Sequence, residues 1–97
     1  MNLPGIPGTR AHAAPLRIAF FAIDGTFEPD KRTIQAIEAM AETPFGVAKG
    51  SARVSVENAG LSLAFDPRRV AFGAIQRILD RKLAALRLSL LPMSLID

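Results

Sequence analysis

Cysteine, tryptophan and tyrosine are absent from these 97 residues, and histidine occurs once, at His12. Without a thiol there is no disulfide framework, no thiolate metal site and no cysteine nucleophile. One imidazole, set in an irregular leader, builds neither a histidine metal cluster nor a Ser-His relay within one chain. No apolar run reaches the length of a membrane span. The opening MNLPGIPGTRAHAAPL holds an A-x-A-like stretch at Ala11-His12-Ala13, but Pro4, Gly5, Pro7 and Gly8 interrupt it and no apolar core region precedes it. It reads as a flexible leader rather than a signal peptide, and predicts a cytoplasmic protein without membrane insertion.

What is present describes one small globular domain. A 49% apolar and 22% charged composition excludes wholesale disorder. A chain of this length builds a modest core under one sheet and one or two helices. The net charge is +3, and its arginines are spread along the chain. That is the pattern of a solvated surface rather than of a nucleic-acid footprint.

Hydrophobic periodicity predicts the elements. Arg17 to Ile23 is apolar on both faces, as a central covered strand is. Asp24 to Pro29 is a turn. A helix follows over about 30–42, with Ile34, Ile37, Met40 and Ala41 on one stripe, Glu28 or Asp30 supplying its start, and Thr43-Pro44 ending it. Ser51 to Glu57 alternates, with Ala52, Val54 and Val56 inward. After the turn at Asn58-Ala59-Gly60, Leu61, Leu63 and Phe65 share one face. Asp66 as N-cap and Pro67 as first helical residue predict a second helix with Val70, Ala74, Ile75, Ile78 and Leu79 buried. Leu86, Leu88 and Leu90 then alternate as a last strand. The order β-α-β-β-α-β, with two right-handed crossovers, predicts an α+β ferredoxin-like sandwich, a four-stranded antiparallel sheet with two helices on one face. The predicted organisation is a leader over 1–15, the domain over 16–92 and a tail over 93–97.

The stretch RIAFFAIDGTF tests one chemistry directly. Haloacid dehalogenase phosphatases end their catalytic strand in Asp-x-Asp-Gly-Thr, where the first Asp is the nucleophile. That position is Ala22 here, and only Asp24-Gly25-Thr26 matches. Alanine has no lone pair to attack phosphorus, so the route is closed. No other nucleophile–base pair assembles, and the chain reads as non-enzymatic with no cofactor.

TIQAIEAMAETPFGV and AFDPRRVAFGAIQRIL carry a different resemblance. From Asp30 onward the chain resembles the heavy-metal-associated domain of copper chaperones, mercury-binding proteins and metal-pumping ATPases. Ile37 falls on the family's helix isoleucine, Phe45-Gly46-Val47 on its Pro-Gly-Val, and Phe65-Asp66-Pro67 on its Tyr-Asp-Pro. The resemblance implies the same ferredoxin-like fold and a link to metal transport. It departs at the site. The family's Cys-x-x-Cys positions are Asp30 and Thr33 when aligned on the helix, or Glu28 and Lys31 when counted from Gly25. Neither pair supplies the sulfur that soft ions require.

Two surfaces therefore carry functional expectations. In the first loop, Asp24, Glu28 and Asp30 are candidate oxygen ligands for a hard cation, with His12 a possible contributor through a second chain. The same acids serve equally to offset a helix macrodipole. On the open face of the sheet, Ala19, Phe21 and Ile23 are expected beside Ser62, Ala64 and Arg53, an apolar centre with a basic rim. That face, or an edge strand, is the expected contact for a protein partner or a second copy. RNA recognition on this strand order needs aromatics on both central strands, and the third strand turns its one aromatic inward.

Overall fold

A computed structural model describes residues 15–96. The chain runs β1 (Arg17–Asp24), α1 (Lys31–Ala41), β2 (Arg53–Ser55), β3 (Gly60–Phe65), α2 (Phe72–Leu83), a 3₁₀ turn (Ala84–Leu86) and β4 (Ser89–Ile96). The strands form one antiparallel sheet in the order β2-β3-β1-β4. This is the ferredoxin-like βαββαβ sandwich that the periodicity predicts. Ile37 and Ala41 of α1 and Ile75, Leu79 and Leu83 of α2 close one core with the sheet. The predicted leader lies almost wholly outside the described residues.

The apolar run of β1 hides a choice of phase, and the structure reverses the expected one. Ala19, Phe21 and Ile23 are not on the open face: they are buried at 0%, 1% and 4% exposure, against the helices. The Phe21 ring stacks on Phe72 of α2, centroids 5.2 Å apart and planes 3° from parallel. Ile18, Phe20 and Ala22 take the open face instead. The register requires this, because antiparallel partners share a face. Phe21 pairs with Leu61 and Ala19 with Leu63, whereas Phe20 pairs with Ser62 and Ala22 with Gly60. Burying the larger leucine–phenylalanine set removes more apolar surface from water than burying the serine–glycine set.

Three boundaries also move. Asp66-Pro67 closes a separate turn rather than starting α2. The Asp66 carboxylate accepts from the Arg68 amide at 2.9 Å and its carbonyl from those of Arg69 and Val70 at 2.9 and 3.1 Å. An Asp-Pro pair suits either role, and here the helix restarts at Phe72, which reaches Phe21. β2 is shorter than its alternating pattern. Ser51 leaves the ladder, its hydroxyl donating to the Ala48 carbonyl at 2.6 Å and accepting from the Ala64 amide at 3.1 Å. Beyond Ser55, Val56 is 43% exposed in the turn. That turn needs left-handed backbone at Ala59, and the Ala59 carbonyl accepts from the Ile23 amide at 2.7 Å.

The predicted tail is strand. Residues 93–96 continue β4 alongside β1, past a bulge: Phe21 pairs with Pro92 and Phe20 with Ser94, leaving Met93 as the extra residue. Leu88 and Leu90 are buried as expected, while Leu86 sits in the 3₁₀ turn and is 38% exposed.

The β1 phase has a direct energetic signature. Phe21→Ala is expected to cost about 3–5 kcal/mol of unfolding free energy, and Phe20→Ala about 1 kcal/mol or less, by urea denaturation. Equal losses would contradict the assignment.

Candidate functional site

The carboxylates of the first loop stand apart from one another among the described residues. β1 ends at Asp24, and Gly25 adopts φ +123° where the loop lies against the chain after α2. A Cβ there would stand 2.8 Å from both the Arg87 carbonyl oxygen and Leu88 Cδ2. Phe27 packs onto the core, while Asp24, Glu28 and Asp30 are exposed. Asp30 holds the N-cap position of α1 in extended conformation, but its side chain makes no capping bond. Among the described residues, no three His, Cys, Asp or Glu side chains converge as a metal site requires. The loop's only anchored side chain is apolar, so its carboxylates are splayed into water. His12 lies outside the described residues.

The open face is the more structured surface. β1 contributes Ile18, Phe20 and Ala22, β3 contributes Gly60 and Ser62, and β2 contributes Arg53 and Ser55. On β4, Leu91 is 54% and Met93 67% exposed. Of the expected surface residues, Arg53 is here; Phe21, Ile23 and Ala19 are beneath it. Phe20 and Met93 are the members that sequence reasoning misses. Serine and glycine on β3 are the signal that could have found Phe20, since a face floored by small residues is the solvent face. Nothing local announces the bulge at Met93. A shallow hollow of about 670 Å³ opens here, with Phe20, Arg53, Ser55, Ser62 and Met93 in its lining.

Side chains on or just beyond the helices bond to part of each sheet edge. Along β2, the outward amides of Ala52 and Val54 donate to the carboxylates of Glu42 and Glu38, each at 3.0 Å. These acids are one turn apart on and just beyond α1. Along β4, the Leu90 amide donates to Asp80 Oδ1 at 2.8 Å, and the Leu90 carbonyl accepts from Gln76 Nε2 at 3.2 Å. The next outward position is Pro92, which has no amide hydrogen to offer. Edge pairing is thus opposed at both sides where strands usually extend.

Glu42 is ionised by this arrangement. Bonds from the Gly50 and Ala52 amides hold its carboxyl below the ordinary carboxylate value, aided by the charges of Arg53 and Lys49 and opposed by partial burial.

No family model and no curated protein matches the sequence. Among solved structures, the N-terminal domain of the zinc(II) ATPase ZiaA is similar, with 26% identity over 80% of this chain and a TM-score of 0.60. The chain spans 66% of that domain's length. A copper-binding domain of HMA7, a P-type ATPase, shares the fold at 18% identity, with 80% of this chain and 95% of that one covered and a TM-score of 0.62. The chain is thus similar in fold to domains of metal-transporting P-type ATPases, and it contains no cysteine. Glu28, Asp30, Lys31 and Thr33, the positions that the sequence resemblance sets against a cysteine pair, are exposed or half-exposed and carry oxygen or nitrogen only. Phe45-Gly46-Val47 forms a turn before β2. Gly46 has φ +93° and lies so close to Val70 that a Cβ would approach Cγ1 to 2.5 Å. Phe45 stays 67% exposed, with the Arg69 guanidinium 5.0 Å above its ring. Among the described residues, no helix is long and apolar enough to cross a membrane.

A carboxylate with a depressed pKa contributes stability above its unfolded value, about 4.3, and loses it as pH falls through the lower folded value. The melting temperature should therefore drop on acidification below about pH 4.5, and drop less steeply in Glu42→Gln, which should also be less stable at pH 7. Parallel profiles for the two proteins would rule out Glu42 as an edge cap.

Proposed function

We propose that this domain is a non-enzymatic, cytoplasmic accessory of metal transport that acts by contact with another protein, or with a second copy, through the open face of its sheet. One observation carries the reading. Half-buried Phe20 and exposed Leu91 and Met93 lie on a face that, among the described residues, no helix covers, while each sheet edge is already bonded in part, at Ala52 and Val54 and at Leu90, to Glu42, Glu38, Asp80 and Gln76. Apolar surface left uncovered by the fold is where a partner gains most from burial. The likeness to a domain of a zinc(II) ATPase and to a copper-binding domain of a P-type ATPase supports the link to metal transport. The missing thiolates separate this domain from carriage of soft ions itself.

A photo-crosslinking residue at Met93 should give protein adducts in cells that Phe20→Glu abolishes, whereas the same residue at Arg77, on the exposed side of α2, should not. Equal adducts from both positions would refute the face assignment. Sedimentation velocity separates self-association from a foreign partner. Titration calorimetry with Zn²⁺, Cu(II), Ni²⁺ and Mg²⁺ is expected to show no saturable heat. A saturable heat lost in Asp24→Asn and Glu28→Gln would instead favour the second reading, a cation held by the first loop.

A further inference from the structure

The hollow in the open face has the chemistry of a small-ligand site. Its floor is made of two rows of short side chains. In one, Ser62 stands between its register partners Phe20 and Arg53; in the other, Gly60 stands between Ala22 and Ser55. Same-face neighbours on adjacent strands are about 5 Å apart. Phe20 and Arg53 thus face each other across roughly 10 Å, with only a hydroxymethyl group between. The bulge at Met93 extends the apolar wall on the Phe20 side. Opposite, Asn58 donates its side-chain and main-chain N–H groups to Ser55 Oγ at 3.2 and 3.4 Å, which fixes the polar wall. The volume, about 670 Å³, falls within the range of sites that hold small organic molecules.

Among the described residues, Arg53 is the one ionisable residue in the lining. Its hydrogen bonds to protein both leave from Nη1, to the carbonyl oxygens of Gly50 at 2.8 Å and Ala52 at 2.7 Å. They orient the guanidinium and leave the Nε–Nη2 edge, the pair of donors that forks onto a carboxylate. A cation would find no carboxylate in this lining, and a polyanion would find a single positive charge. A neutral hydrocarbon would cover the guanidinium edge without satisfying it.

We propose that the hollow binds a small amphipathic carboxylate, a flat apolar body bearing one acid group. The carboxylate lies on the Nε–Nη2 edge of Arg53, and the apolar body lies over Ser62 against Phe20 and Met93. The proposal does not depend on a protein docking on this face.

The test uses the full chain, isotope-labelled and followed by amide NMR, with 2-naphthoate as probe and 2-naphthalenemethanol as its neutral counterpart of similar shape. Naphthoate should give saturable shifts centred on Phe20, Arg53 and Ser62, with a dissociation constant on the order of 1 mM or tighter. The alcohol, and naphthoate on Arg53→Gln, should bind at least about tenfold more weakly. Arg53→Lys, which keeps the charge and loses the fork, should fall between. Ser62→Phe fills the floor and should abolish binding of both probes with the spectrum otherwise native. If that variant does not fold, the arginine pair decides the matter alone. Equal binding of acid and alcohol, no effect of Arg53→Gln, absence of saturation, or shifts centred on Phe45 and Arg69 would each overturn the proposal.

Discussion

The ring of Phe21 lies flat against that of Phe72, and the side-chain phase of the central strand follows from that contact. A strand apolar on both faces has two ways to lie on a pair of helices. The stack, together with the pairing of Phe21 to Leu61 and Ala19 to Leu63, selects one. The selection then sets everything exposed. With Phe21 inside, the outer face receives Phe20, and opposite it come serine and glycine rather than leucine. The hollow exists because the strands put their large residues on the inner side and their small ones on the outer.

The first loop and the open face differ in how far their polar groups are ordered. The loop after β1 keeps a glycine turn packed against the end of α2 and an apolar anchor at Phe27, but its polar side chains do not converge. The ordered polar group is instead Arg53, on the far side of the sheet, tethered by two carbonyls and directed over the hollow. The absence of cysteine and the presence of an oriented guanidinium are separate facts about the chain.

Much of this was legible from residue order alone. The alternation in β3, the helix stripes around Ile37 and Ile75, and the helix end before Pro44 depend on neighbours near in sequence, and each lies where periodicity puts it, while the β2–β3 turn starts two residues early, at Val56. The errors share one cause, which is dependence on distant partners. β1 meets β3 across a helix and a hairpin, so no local turn sets their register, and Ala19-Phe-Phe-Ala-Ile is consistent with either phase. Asp66-Pro67 caps a turn or a helix with equal propriety until Val70 and Phe72 are placed. The run LPMSLI looks like a tail because Pro92 and Met93 break alternation; beside β1 they are an edge proline and a bulge. Of the candidate surface, Arg53 and Ser62 were readable, being on alternating strands, while Phe20 and Met93 were not.

Four side chains of α1 and α2 and their flanks sit where a fifth strand would otherwise bind on either side. Three of the four are carboxylates and one is an amide, each bonded to a ladder group of Ala52, Val54 or Leu90. The sheet's resistance to edge-to-edge polymerisation therefore resides in the helices: a strand from another copy must displace side chains of α1 and α2 and their flanks before it can pair.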